Sequence, residues 1–188
     1  MQADKLILGI DPGTQISGWG VVVVRGGTCS YVSMGIIDLR KEKDLFTRIG
    51  ILFKEVLKLV DKYHPDEIAM EAPFYGKNLQ SMLKLGRAQG ALIAVAHSRD
   101  IPIFEYAPRK IKLSITGRGA ASKEQVATVI SKILSINEPS SLFLDATDGL
   151  AAALCHYLNS NTAFFTKRSS GHGGGWGKFI KDNPDRIK

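Results

Sequence analysis

The chain has 188 residues, 44% of them hydrophobic and 23% charged, with a net charge of +7. That length suits one domain with a sizeable core, and the absence of an apolar run of membrane-spanning length or a secretory start points to a soluble cytoplasmic protein. Cys29 and Cys155 stand apart without CxxC spacing, which argues against a disulfide framework and a zinc site.

The positive charge is unevenly placed. Residues 73–123 carry 9 basic and 2 acidic side chains, and residues 159–188 carry 6 and 2, whereas 124–158 carry 1 and 4. Basic stretches flanking acidic ones suit an enzyme that grips a polyanion while holding cations near its chemistry. An ordinary basic surface gives the same total, so charge alone does not decide the function.

In chain order, Leu6, Ile7, Leu8 and Ile10 predict a buried strand, Asp11-Pro12-Gly13-Thr14 a turn, and Val21 to Val24 the returning strand. Asp11 therefore ends a core strand. Such a carboxylate either binds the amides of its own turn or, if other carboxylates converge on it, acts as a metal ligand or general base. Arg25-Gly26-Gly27-Thr28 predicts a hairpin turn, and 29–37 a third antiparallel strand. After Asp44, apolar residues from Leu45 to Tyr63 recur every three or four positions, the mark of an amphipathic helix ending before Pro65. Glu67-Ile68-Ala69-Met70 predicts a short buried strand that ends on Glu71, a second acid at a strand terminus. A helix-linked crossover makes this strand parallel to the first.

Pro73 to Asn78 predicts a loop bearing Phe74, Tyr75 and Lys77, followed by a helix over 79–99 with Gly86, Gly90 and Ala94 on one face. Interior helical glycine costs about 1 kcal/mol against alanine, so this face implies close backbone approach, to the protein's own sheet or to a second copy in a dimer. Ile103 to Tyr106 predicts another strand. Pro108-Arg109-Lys110-Ile111-Lys112 predicts a basic helix start, and Ser122 with Gln125 a capping box opening a further helix. Lys123 falls in that helix's first turn, where a cation opposes the dipole, a placement that suits an anion outside the chain as well as simple solvation.

The last core element is a helix from about 144 to 158. Asp145 and Asp148 project from one face of its first turn, beside a nearly acid-free apolar run. Residues 159–188 are Gly-rich and basic and read as a mobile tail. Its Gly-Lys pair is not a P-loop: His172 stands where the first glycine should be and Phe179 follows Lys178.

Three antiparallel strands, a helix, a strand, a helix and a strand make a mixed five-stranded α/β sheet flanked by helices. In such a sheet Asp11 and Glu71 can lie side by side with the last helix's acids nearby, gathering Asp11, Glu71, Asp145 and Asp148. Without cations that cluster repels itself. Oxygen-only donors suit Mg²⁺, with Mn²⁺ able to substitute, and two such ions activate water and stabilise the leaving oxygen in phosphodiester displacement.

LGIDPGT at 8–14, MEAPFYGKN at 70–78, LKLGRAQG at 83–90 and DATDGLAAALCH at 145–156 resemble the motifs of the RuvC-type Holliday-junction resolvases. The resemblance runs from about residue 5 to 158. It implies a ribonuclease H-like nuclease domain over 1–158 and a homodimer that cuts four-way DNA junctions by paired symmetric nicks. It also implies two Mg²⁺ ions at the acids and a branch-migration motor as partner. Carried over by position, Asp11, Glu71, Asp145 and Asp148 are the catalytic metal ligands, Phe74 stacks on bases near the crossover, and Lys112 and Lys123 lie near the scissile phosphate. Some family members carry histidine where Asp145 stands. The nearest rivals are a ribonuclease H-like nuclease for RNA or hybrids, an actin- or sugar-kinase-like ATP-binding domain, and a junction-binding protein without activity. The second needs another phosphate loop and a longer chain. The four intact acids count against the third.

Overall fold

Three antiparallel strands open the chain: β1 (Lys5–Asp11), β2 (Ile16–Arg25) and β3 (Thr28–Asp38). The computed structural model describes residues 4–73, 78–136 and 143–169, the last stretch by its backbone alone at 143 and from 161 onward. α1 (Leu45–Tyr63) then leads to β4 (Glu67–Glu71), and α2 (Leu79–His97) to β5 (Ile103–Tyr106). α3 (Pro108–Thr116), α4 (Lys123–Leu134) and α5 (Phe143–Ser169) follow. The five strands form one sheet in the order β3-β2-β1-β4-β5.

β1 is the hub of the sheet. It pairs antiparallel with β2 from Lys5 opposite Val24 to Asp11 opposite Gly18, and parallel with β4 from Ile7 opposite Glu67 to Ile10 opposite Met70. Strand alternation sends Leu8 and Ile10 to one face and Gly9 and Asp11 to the other. On the first face Leu8, Ile10, Ile68 and Met70 pack with Leu52 and Val56 of α1 and Leu92 and Val95 of α2 in one buried cluster. Truncating such a side chain to alanine costs about 2–5 kcal/mol.

The second face lies under α5 and is built differently. A Cβ placed on Gly9 would lie 2.1 Å from the Gly149 carbonyl oxygen, and one on Gly18 would lie 1.9 Å from the Asp145 carbonyl oxygen. A Cβ on Gly20 would meet Leu150 Cα at 2.6 Å, and one on Gly149 would meet Trp19 Cα at 2.4 Å. Helix backbone therefore rests almost directly on strand backbone, through glycines on three elements. At the far end of this face the buried His156 ring bonds Tyr106 Oη through Nδ1 at 2.7 Å and Glu67 through Nε2 at 2.5 Å, and Glu67 also pairs with Lys5.

Local sequence sets the helix starts. Asp44 Oδ2 accepts from Thr47 N at 2.8 Å to cap α1. Pro108 opens α3, which ends at Gly117 in the left-handed region, φ 73°. Ser122 and Gln125 form the expected reciprocal capping box on α4, with bonds of 3.3 and 3.0 Å.

Three expectations change. β2 begins at Ile16, earlier than the apolar run at Val21, because Gly18 and Gly20 extend the pairing while presenting no side chain to α5. α5 continues eleven residues beyond 158, since neither glycine nor proline interrupts the chain before Gly171. On α2, Gly86 and Gly90 are exposed and a Cβ on either would meet nothing within 4 Å. Packing on the protein's own sheet therefore does not explain that face. The chain divides into units 1–157 and 158–188, the second containing, among described residues, the distal end of α5.

Candidate active site

Asp11 and Glu71 end two adjacent parallel strands, at the C-terminal end of both. Asp145 and Asp148 enter from the first turns of α5, seated beside them by Gly18 and Gly149. Burial, then the charges of Glu71, Asp148 and Asp145, push the Asp11 carboxyl up to about 8 against the opposing pull of Lys123. Burial and then Asp148 push Glu71 up to about 7, with Lys123 and Lys112 opposing. Burial also raises Asp148, which Lys123 pulls the other way. The four acids thus form one electrostatic unit.

Lys123 reaches this unit from the start of α4. Its Nζ donates to Asp148 Oδ2 at 2.5 Å and to Asp145 Oδ1 at 3.4 Å. Burial lowers the affinity of the ammonium for its proton, but the Asp148 and Asp145 contacts outweigh that and leave its pKa raised. Lys112, half-buried on α3, acts on Glu71 and Asp148 through its charge. Phe74 lies outside the described residues.

Several supporting residues have no counterpart in the sequence reading. Gln89, buried on α2, donates from Nε2 to the Glu71 carbonyl at 3.1 Å. Ser17, fully buried, donates to the Asp11 carbonyl at 2.8 Å. Arg48 of α1 donates to the Thr14 carbonyl at 3.2 Å and the Glu42 carbonyl at 2.6 Å, bracing the turn after Asp11. The charge of Asp145 also acts on Arg40, which forks onto Asp38 at 3.0 and 2.6 Å. Gln89 was the most legible of these: a polar residue in helical register with Leu92 and Ala96 on a buried face needs a partner there.

The donor set fits a hard divalent cation. It consists of carboxylate oxygens, and the raised pKa values of Asp11 and Glu71 mark a surplus of buried negative charge that a cation would relieve. As the side chains stand, no group of three or more His, Cys, Asp or Glu among the described residues is gathered closely enough to hold a metal. Asp145 and Asp148 close on the Lys123 ammonium instead.

A mixed sheet in this strand order, with acids at the ends of β1 and β4 and on the helix laid across them, is that of a ribonuclease H-like protein. The family model for crossover junction endodeoxyribonuclease RuvC matches residues 7–156. The chain belongs to that family. It is 53% identical to a crossover junction endodeoxyribonuclease RuvC of Bacteroides fragilis over 98% of this chain and 97% of the relative. Identity to that of Cytophaga hutchinsonii is 51%, over 98% of this chain and 89% of the relative. Among solved structures, T. thermophilus RuvC in complex with Holliday junction substrate superposes with a TM-score of 0.75 at 28% identity, covering 85% of this chain and 96% of that one.

Proposed function

We propose that this chain is a metal-dependent endodeoxyribonuclease that resolves four-way DNA junctions in recombination and repair by paired symmetric nicks. The observation that carries the reading is that Asp11, Glu71, Asp145 and Asp148 lie near enough at the C-terminal ends of β1 and β4 to act on one another by charge, within the span matched by the family model. The relative solved with a Holliday junction supports the substrate.

Asp11, Glu71, Asp145 and Asp148 would hold Mg²⁺, two ions per site, or Mn²⁺ in its place. Bound there, the ions supply a water of lowered pKa and positive charge at the leaving oxygen. The chain's own residues do the rest. Gln89 and Ser17 fix the backbone beneath Glu71 and Asp11, which keeps those carboxylates in place. Lys112 and Lys123 neutralise the scissile phosphate, and Phe74 stacks on a base at the crossover. The nuclease domain spans 1–158, and the basic tail 159–188 adds nonspecific affinity through Lys167, Arg168, Lys178 and Lys181.

A homodimer presents two such sites to a junction of matching twofold symmetry. The open face of α2, with Leu79 67% and Leu83 56% exposed beside Gly86 and Gly90, supports that surface as the interface. A branch-migration motor would deliver junctions, in the cytoplasm. No helix among the described residues is long and apolar enough to cross a membrane.

The test incubates the protein with Mg²⁺ and a mobile four-way junction, a linear duplex and an RNA–DNA hybrid, with Asp145→Asn as control. Symmetric nicks on the junction alone, lost in the variant while binding persists, are expected. Cleavage of the hybrid instead would overturn the substrate, and binding without cleavage under Mg²⁺ or Mn²⁺ would overturn the activity.

A further inference from the structure

Lys123 occupies the first position of α4, fixed by the Ser122–Gln125 capping box. A cation there opposes the helix dipole, so α4 itself gives no reason for it. The reason lies across the site, on α5. The ammonium bonds Asp148, whose side chain is 17% exposed, and Asp145, while half of its own side chain stays in solvent. Its charge also acts on Asp11 and Glu71. Lys112 acts on only Glu71 and Asp148 by charge, with no bond to either.

One monovalent ammonium thus acts on four carboxylates, and it already occupies Asp148 Oδ2, one of the donor oxygens that the acids would offer a divalent ion. An ammonium and a divalent cation held on the same carboxylates repel each other, so the two compete for them. A lysine stem is long and flexible and can swing outward without disturbing α4, whose cap holds the backbone and not the side chain.

We infer that Lys123 is the built-in counter-ion of the metal-free acid cluster, displaced from Asp145 and Asp148 by the incoming divalent ion and thereby released toward the substrate phosphate. The inference rests on reading the acids as a metal site. Loading the metal and freeing the phosphate-binding cation are then one event. By linkage, a phosphate that draws Lys123 away strengthens metal binding, and metal strengthens phosphate binding by the same factor.

The test needs no catalysis. Mn²⁺ binding to the full-length, DNA-free protein is titrated calorimetrically at fixed ionic strength for the wild type, Lys123→Gln, Lys123→Arg and Lys112→Gln, and each is melted in chelator and in saturating Mn²⁺. Lys123→Gln should bind Mn²⁺ about three- to tenfold more tightly than wild type, the scale of losing a half-exposed ion pair with two partners. Lys123→Arg should stay near wild type and Lys112→Gln should move less than Lys123→Gln. Lys123→Gln should also melt below wild type in chelator and coincide with it in Mn²⁺. Equal shifts in Lys123→Gln and Lys112→Gln would reduce the effect to a general field and overturn the inference, as would unchanged or weaker Mn²⁺ binding in Lys123→Gln. A wild type that binds no Mn²⁺ would overturn the metal-site reading itself, whatever the variants do.

Discussion

Gly18→Ala tests whether the seat of α5 sets the chemistry. The added Cβ would lie 1.9 Å from the Asp145 carbonyl oxygen, where ordinary contact begins at 3.4 Å, so strand and helix must separate by about 1.5 Å. Both atoms belong to the backbone or are fixed to it, and no side-chain rotation relieves the clash. Gly18 pairs with Asp11 across β1 and β2, so the movement falls between Asp11 and Asp145. Overpacking of this kind costs about 1–3 kcal/mol, or roughly 2–12 °C of Tm in a chain of this size. A 1 Å error in a reacting geometry costs on the order of 10²-fold in rate. Single-turnover cleavage of a four-way junction, assayed well below the melting temperature, should fall by about that factor while junction affinity in chelator is kept. Gly50→Ala is the control: that glycine lies inside α1 with nothing within 4 Å of its Cβ position, and alanine there should raise stability by about 1 kcal/mol. A Gly18→Ala enzyme cutting within threefold of wild type would refute the argument, even if its Tm fell.

The acid cluster should make the metal-free protein less stable as pH rises. Asp11 and Glu71 hold protons in the folded state up to about 8 and 7, whereas the unfolded chain releases them near 3.8 and 4.5, so stability declines between about pH 4 and 8. Asp38, Asp44, Asp61 and Glu67, whose values are lowered, act oppositely, but their window lies below about pH 5. Melts in chelator should therefore drop by roughly 10–25 °C from pH 5 to 8, Asp11→Asn should remove more than half of the slope and saturating Mg²⁺ most of it; a flat wild-type profile would contradict the burial of these carboxylates. Gly90→Leu should shift the protein toward monomer in sedimentation, and a fully dimeric variant would move the interface elsewhere. Truncation after Asn159 should weaken junction binding at low salt, with a shallower salt dependence, and unchanged affinity would remove the tail's role.

Much of this site is written in local sequence. Asp11 and Glu71 announced themselves as acids ending apolar strands, and the Ser122–Gln125 box placed Lys123 within a residue of where it stands. The pairing of β1 with β4 followed from chain order and crossover handedness. What was hidden is long-range. Gly9, Gly18, Gly20 and Gly149 look like weak points in strand and helix when taken one at a time, and only their stacking across three elements gives them a purpose. Arg48 reaches the Thr14 carbonyl 34 positions away, a bond that no local pattern encodes. The end of α5 is obscured by composition: the Gly-rich basic character of 159–188 masks the fact that the residues up to 169 contain no helix breaker.

These hidden contacts share a logic. Three of the acids are held through their backbone by a group on a different element, Asp11 by Ser17, Glu71 by Gln89 and Asp145 by the cleft over Gly18, while the backbone of Lys123 is fixed by its own helix cap. Side chains with few free torsions on fixed backbone lose little entropy when they bind an ion, which favours affinity in a cluster whose burial already raises Asp11 and Glu71. The same burial makes the unloaded cluster costly, and one lysine covers only part of the surplus charge. Precision at the acids and instability without metal are therefore two results of a single construction, so variants that loosen α5 should bind metal more weakly while losing less stability as pH rises.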